Sequence, residues 1–508
     1  MALKIDRRLV LRNTLLNALG SLAPMAITLA TLPRVLTILG PERYGILSLV
    51  LVVVGYFSVL DLGFAQAMTK FAAESLGRGR EEELPETVWT AVAFQSVLGS
   101  LGGFVLAAAA PALASRWLTI PAGMQTETRA ALELMGLMVP VMMISPCLSG
   151  VLEAAQRFDI ILAVSVPAGA ASTIAMYAGA VLGWGLPGIM VLLIAARALM
   201  TAAYFVAALR LFPVLRRSLV ASWGAVVKLL RYGSWFAASG IVVPVLMYTD
   251  RFLVGRYLTL ADITYYAVPF GFMTRLLFLP QSLVRTLFPA FSALEAGDKG
   301  LLEDLFLRSH KYMTLAGGPV VLFLTAFSFD LFALWLGPET AAHAAPVLRL
   351  LLFGGLFSIL GPIAAALLQG TGRPDIVVKW YVACLPINAA AVWVLIKAFG
   401  LAGAALSFDV RAVAETVVFA VAAARLAGIS YQTLAEHRLW QTLGVIAFLG
   451  VLMALTHLPA TIAGRAAACA AGTAVFFAAG WVFMLDDADR GFIKEQLRLR
   501  IGRRLGTA

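Results

Sequence analysis

The sequence predicts an all-α polytopic membrane protein: about fourteen transmembrane helices, arranged as two parallel-duplicated six-helix lobes plus two C-terminal helices around a central cavity. Three observations predict it. Of 508 residues, 61% are hydrophobic and 13% charged, whereas soluble domains carry about 25% charged residues. Apolar stretches of bilayer length, ~20 residues, follow one another along the whole chain. A motif near the fourth and fifth stretches returns near the tenth and eleventh. No segment between the stretches is large enough for a separate water-soluble catalytic domain, so soluble enzymes, nucleic-acid binders and secreted disulfide scaffolds are excluded.

The spans, ended by charged, glycine or proline clusters, lie near 14–38, 45–69, 88–114, 130–152, 159–182, 187–211, 229–254, 263–288, 309–335, 345–368, 376–399, 401–424, 439–458 and 464–485. The start, from Met1 through Arg8, lacks a convincing small-residue cleavage site, so the first stretch is expected to stay as a helix. An even number of spans puts both termini on one side, and lysine and arginine mark the cytoplasmic side. With the termini inside, the inner segments hold Lys4, Arg7, Arg8 and Arg12, then Lys70, Arg78 and Arg80, the group from Arg210 to Arg231, and the tail from Arg490 to Arg504. The outer segments hold only Arg43, Arg116, Arg129, Arg256, Lys397 and Arg465. The net charge of +11 is therefore largely a record of topology. The stretch from Pro213 to Ser234 reads as an amphipathic helix along the inner leaflet.

The repeat is the most informative feature. Pro146, Leu152, Arg157, Asp159 and Ile160 return as Pro362, Leu368, Arg373, Asp375 and Ile376 at a constant offset of 216, and Arg210 returns as Arg425 at 215. Both copies fall in loops facing the same side, so the duplication is parallel, about an axis along the membrane normal. The expected organisation is an N-terminal lobe at 1–211, a cytoplasmic amphipathic linker at 212–228, a second lobe at 229–424, two further spans within 439–485 and a basic cytoplasmic tail at 486–508. Paired lobes in a bilayer usually enclose a cavity and expose it alternately to each side, which makes transport the default function.

Metal and covalent chemistry have no support. Cys147, Cys384 and Cys469 are far apart and sit in apolar stretches, and His310, His343, His437 and His457 show no ligand spacing. No cofactor is expected. The intramembrane charges carry the functional reading instead. Arg34, Arg197, Arg251, Arg275, Arg285, Arg349 and Arg411 lie within spans, where each would cost ~3 kcal/mol at the centre of a lipid-facing helix. Arg34, Arg251 and Arg349 lie near outer ends and Arg285 near an inner end, within snorkelling reach. Arg275 and Arg411 are near mid-span and call for a cavity or an ion pair, and Arg197 is the approximate first-lobe counterpart of Arg411. The candidate substrate-binding residues are Arg34, Arg251, Arg275, Arg285, Arg349 and Arg411. The acids Asp61, Asp250, Asp409 and Glu415 are the coupling or ion-pair candidates. Arg411 and Glu415 share a helix face at i,i+4. Asp61 either binds a polar group of another helix or serves as a titratable coupling site. More arginine than acid favours an anionic ligand, since guanidinium pairs bidentately with phosphate and carboxylate.

Several segments also resemble a known family. They run from Leu32, Pro33 and Arg34 through Gly40, Pro41, Glu42, Arg43, Tyr44 and Gly45, from Gly55 through Asp61, Leu62 and Gly63, and from Lys70 to Glu74. Further matches are Thr249, Asp250, Arg251 and Gly255 followed by Tyr265 and Tyr266, and Gln369 to Arg373. These resemble the Wzx-type polysaccharide exporters of the multidrug/oligosaccharidyl-lipid/polysaccharide superfamily, over most of the chain. The resemblance implies a flippase moving an undecaprenyl-pyrophosphate-linked oligosaccharide across the bacterial inner membrane for O-antigen, capsule or exopolysaccharide assembly. It also implies a cationic cavity, H+ or Na+ as coupling ion, contact with membrane lipids and a polysaccharide polymerase or export partner. A lipid II flippase is the runner-up, also with fourteen spans. A membrane glycosyltransferase or polymerase is the enzyme alternative; the longest outer loop, roughly 115–129, offers few catalytic groups, and the one DxD pair outside the spans is Asp487 with Asp489.

Overall fold

The computed structural model describes residues 7–57, 61, 63–117, 120–275, 280, 283–284, 287, 291, 299–429, 438–487 and 489–491. Among these every regular element is helical. We number the helices α1 (Arg7–Phe57), α2 (Phe64–Gly77), α3 (Leu84–Ala112), α4 (Ala122–Ala154), α5 (Phe158–Val181), α6 (Gly185–Leu211), α7 (Trp223–Tyr257) and α8 (Leu260–Thr274). The series continues with α9 (Lys299–Ala326), α10 (Ser328–Leu336), α11 (Pro338–Gly370), α12 (Pro374–Ala427), α13 (Leu439–Thr456) and α14 (Ile462–Ala479). Eight of the described helices are long and apolar enough to cross a membrane, or nine if the pair bent by 62° at Phe327 counts as one span.

Two of the expected span boundaries are single residues. α1 runs through the first predicted span and into the second, broken only at Gly40 (φ 76°, ψ 164°), and ends at Phe57, with α2 taking up the rest of that span from Phe64; α12 runs through the eleventh and twelfth, broken only at Gly400 (φ 59°, ψ −133°). Side chains rarely adopt these backbone angles, and glycine adopts them freely. The amphipathic segment also differs from expectation. Pro213–Arg216 is a 3-10 turn, and the helix that starts at Trp223 continues unbroken to Tyr257. Ser222 sets that start: its Oγ accepts from the Ala225 amide at 3.1 Å and donates to Glu86 at 2.6 Å.

Packing divides the chain into two units, Met1–Thr264 and Tyr265–Ala508. In the first, α4 is the hub, packed against α2, α3 and α6, while α7 lies on α1, α2 and α3. Where α3 crosses α4, a Cβ on Gly103 would meet the Gly136 carbonyl, and one on Gly99 would lie 2.7 Å from Pro140 Cα, so the backbones touch. Phe64, Met68, Leu84, Val88, Cys147, Val151 and Leu229 form a core that joins α2, α3, α4 and α7. In the second unit, α11 packs along α12 and α9, with Leu348, Leu351, Leu352 and Ile363 fully buried. α9 also carries the C-terminal pair α13 and α14. The outward faces stay apolar: Val97, Phe104, Leu199, Ile387 and Val410 are exposed, as lipid-facing side chains must be.

The recurring motif has one local geometry in both places. Arg157 donates from Nε and Nη2 to the two oxygens of Asp159, both at 2.9 Å. Arg373 donates from the same two nitrogens to Asp375 at 3.0 and 3.4 Å. In both copies the arginine is the residue just before the helix and the aspartate lies in its first turn.

Candidate functional site

The first unit contains a cavity of about 290 Å³ built by the end of α1, the Asp61 turn, α4 and α6. Pro146 lies within α4, and proline removes a backbone hydrogen bond there. Asp61 faces the cavity from the turn before α2, at which Gly63 adopts φ 75°. The fully buried Gln95 on α3 holds it, donating from Nε2 to the Asp61 carbonyl at 2.8 Å and to its carboxylate Oδ1 at 3.3 Å. The other carboxylate oxygen accepts from the Ala65 amide at 3.5 Å. Across the same cavity stand Arg197, Thr201 and Tyr204 of α6. Arg197 makes no ion pair among the described residues. A guanidinium at this depth is tolerated where it lines a cavity shared with Asp61 and Thr201 rather than lipid.

The second unit binds its charges more tightly. Arg411, 8% exposed, reaches Glu415 at 3.6 Å and lies over the Phe408 ring at 5.2 Å. Glu415 also accepts from the Tyr381 hydroxyl at 3.1 Å. The i,i+4 pair expected from sequence is therefore present, joined to a second stretch of α12 by a tyrosine. Asp409 is buried and accepts the Gly354 amide of α11 at 3.0 Å; a Cβ on Gly354 would meet this carboxylate. Arg349 donates from Nε to Ser328 at 3.0 Å. Arg275 donates from Nε to the Gly271 carbonyl at 3.2 Å.

The remaining candidates are dispersed. Arg34 is exposed on α1 and reaches the Tyr177 hydroxyl at 3.5 Å. Arg251 lies over the Tyr248 ring at 5.7 Å, and the buried Asp250 accepts the Arg251 amide at 2.8 Å. Arg285 lies outside the described residues.

One charged cluster was not anticipated. On α9, Lys311 is 2% exposed and bridges Asp486 at 3.0 Å and Asp489 at 2.8 Å. Arg308 pairs with Asp489 at 3.2 Å and with Asp304 at 2.6 Å, and the Tyr312 hydroxyl donates to Asp489 at 2.8 Å. The sequence signal was available as three acids just past the last span, Asp486, Asp487 and Asp489, but nothing in it brings two of them to Lys311.

Comparison with known proteins places this arrangement. A Shigella flexneri protein named "Putative O-antigen transporter" is 24% identical over 421 residues, covering 80% of this chain and 96% of that protein. A lipid II flippase MurJ in an inward closed conformation superposes with a TM-score of 0.68 at 11% identity, covering 90% of this chain and 98% of the other. An inward-facing multidrug resistance MATE family transporter of the MOP superfamily gives 0.67 at 15% identity, covering 81% and 96%. The fold is thus that of the MOP superfamily transporters. The polysaccharide biosynthesis protein family matches residues 35–341, more than half of the chain, and to that family this membrane protein belongs.

Proposed function

We propose that this protein is a flippase that moves undecaprenyl-pyrophosphate-linked oligosaccharide across the bacterial inner membrane by alternating access, supplying O-antigen, capsule or exopolysaccharide assembly. Its termini are cytoplasmic in this reading, and no chemical step is assigned to it. The single observation that carries it is the Shigella flexneri relative, aligned over 96% of its length.

The charges suit the substrate. Arg197 lines a cavity without an ion pair among the described residues, and Arg275 is bonded on its helix to a carbonyl. In our reading Arg275 binds the pyrophosphate, Arg34 and Arg251 assist along the path, and Arg349 and Arg285 act nearer the ends. Arg411 is held by Glu415 and keeps α12 in register. Asp61, presented to a cavity and held by one amide side chain, is the coupling residue for H+ or Na+. Protonation would remove the acceptor charge that Gln95 and Ala65 satisfy, and so loosen the turn between α1 and α2.

The lipid II reading is favoured by one observation, the likeness to MurJ over 90% of the chain. Gene disruption separates the two. The oligosaccharide reading predicts that cells without the protein accumulate lipid-linked oligosaccharide on the inner leaflet and lose surface glycan while still dividing. Arrest of peptidoglycan synthesis with normal surface glycan would favour lipid II instead.

A further inference from the structure

A groove of about 680 Å³ runs between α5 and α6 on a face of the first unit where Leu199 is 71% and Val206 43% exposed. Its floor is made of the small side chains Ala202, Ala203 and Ala207. From Leu199 to Arg210 this face of α6 extends roughly 16 Å at 1.5 Å per residue, about half of a ~30 Å hydrocarbon core and hence one leaflet. Two guanidinium groups stand at one end of it. Arg210, in the last turn of α6, is exposed and makes no ion pair among the described residues. Arg157, just before α5, engages Asp159 through Nε and Nη2 and keeps Nη1 outside that pair.

A lone arginine at a helix C-terminus is favoured by the helix dipole alone. That accounts for Arg210 but not for the alanine trough leading to it. The second half of the chain supplies an internal comparison. Its counterpart of Arg210 is Arg425, and its counterparts of Ala202 and Ala203 are Val417 and Val418. The cationic rim is duplicated, and the small-residue floor belongs to the first copy.

We propose that this groove seats an anionic glycerophospholipid, with its phosphate between Arg210 and Arg157 and one acyl chain along the alanine trough. Guanidinium forks match phosphate geometry, and a lipid without a compensating headgroup ammonium leaves the full attraction of Arg210 available. The bound lipid fixes α6 at one depth in the leaflet. The opposite face of the same helix carries Arg197 and Thr201 into the cavity, so the seat sets the depth of these side chains.

The test is native mass spectrometry of the full chain released from nanodiscs of phosphatidylethanolamine containing phosphatidylglycerol. The wild type should retain one tightly held phosphatidylglycerol. Arg210→Gln should lower its retention about fivefold, the order expected for one surface cation, and Ala202→Val with Ala203→Val should do the same while leaving every charge in place. Arg425→Gln should have no effect. Equal losses for Arg210→Gln and Arg425→Gln, or full retention in the double valine variant, would overturn the seat in favour of a general basic surface. Displacement of the phosphatidylglycerol by an equimolar prenyl pyrophosphate would overturn it in favour of a carrier-lipid site.

Discussion

Lys311 and Asp489, 178 residues apart in the chain, meet at 2.8 Å with the lysine 2% exposed and the aspartate fully buried. This contact ties the segment after the last helix to α9. A buried ion is costly without its partner, so the pair, its neighbours Asp486 and Arg308 and the Tyr312 hydroxyl hold the end of the C-terminal pair of helices to α9.

Breaking it from one side should therefore be severe. Asp489→Asn should lower stability by about 3–5 kcal/mol, read as a fall in the melting temperature of the detergent-solubilised protein. Replacement of both partners, Lys311→Met with Asp489→Leu, should recover part of the loss. Equal melting of wild type and Asp489→Asn would show that the clasp does not hold the helices.

The same cluster gives a pH dependence. Burial pushes the Asp486 carboxyl up, but the Asp489 amide and the Lys311 ammonium outweigh it and bring it down to about 2 from the usual 3.8. A depressed carboxyl stabilises the fold above its unfolded value and loses that contribution as pH falls through its folded value. The melting difference between wild type and Asp486→Asn should be constant from pH 7 to about 5 and shrink between about 4 and 2. A difference that grows on acidification would contradict the assignment.

Backbone contact between α3 and α4 makes a second stability prediction. Gly103→Leu places a side chain against the Gly136 carbonyl, so the helices must separate. The variant should fail to accumulate or melt well below the wild type. Gly77→Ala, where a Cβ meets nothing within 4 Å, should be tolerated. Normal melting of Gly103→Leu would contradict backbone contact between the two helices.

Arg275 and Arg411 should behave differently on removal. Arg275→Ala should leave protein level and melting nearly unchanged and reduce flipping sharply, with Arg275→Lys restoring part because it keeps the charge without the planar fork. Arg411→Ala strips the half-buried Glu415 of its cation and should lower melting first. Normal surface glycan in cells with Arg275→Ala at matched protein level would remove Arg275 from the binding path.

The helices were legible because apolar runs of bilayer length have few alternatives to helix in lipid, and the loop pair Arg157 with Asp159 was legible because charge is rare in this chain and recurs at Arg373 with Asp375. The i,i+4 spacing gave Arg411 with Glu415 directly. Contacts between distant segments were not legible: nothing in the sequence joins Lys311 to Asp489, or Gln95 to Asp61. Arg197 was noticed for its depth but not selected, since its position beside a cavity depends on how α4 and α6 pack with the Asp61 turn, a contact between distant segments. The separate amphipathic helix expected after Pro213 was misread because the polar start of α7 carries the same pattern of basic and apolar residues as a surface helix.

Transport of the lipid-linked substrate by the purified protein is the most direct measurement. Proteoliposomes loaded with a fluorescent undecaprenyl-pyrophosphate oligosaccharide would be exposed to an impermeant enzyme or quencher, with and without an imposed ion gradient or membrane potential. The proposed function predicts rapid protein-dependent appearance of the oligosaccharide on the opposite leaflet, accelerated by the gradient and lost in Arg275→Ala. Rates equal to those of protein-free vesicles, or movement of lipid II but not of the oligosaccharide carrier, would contradict it.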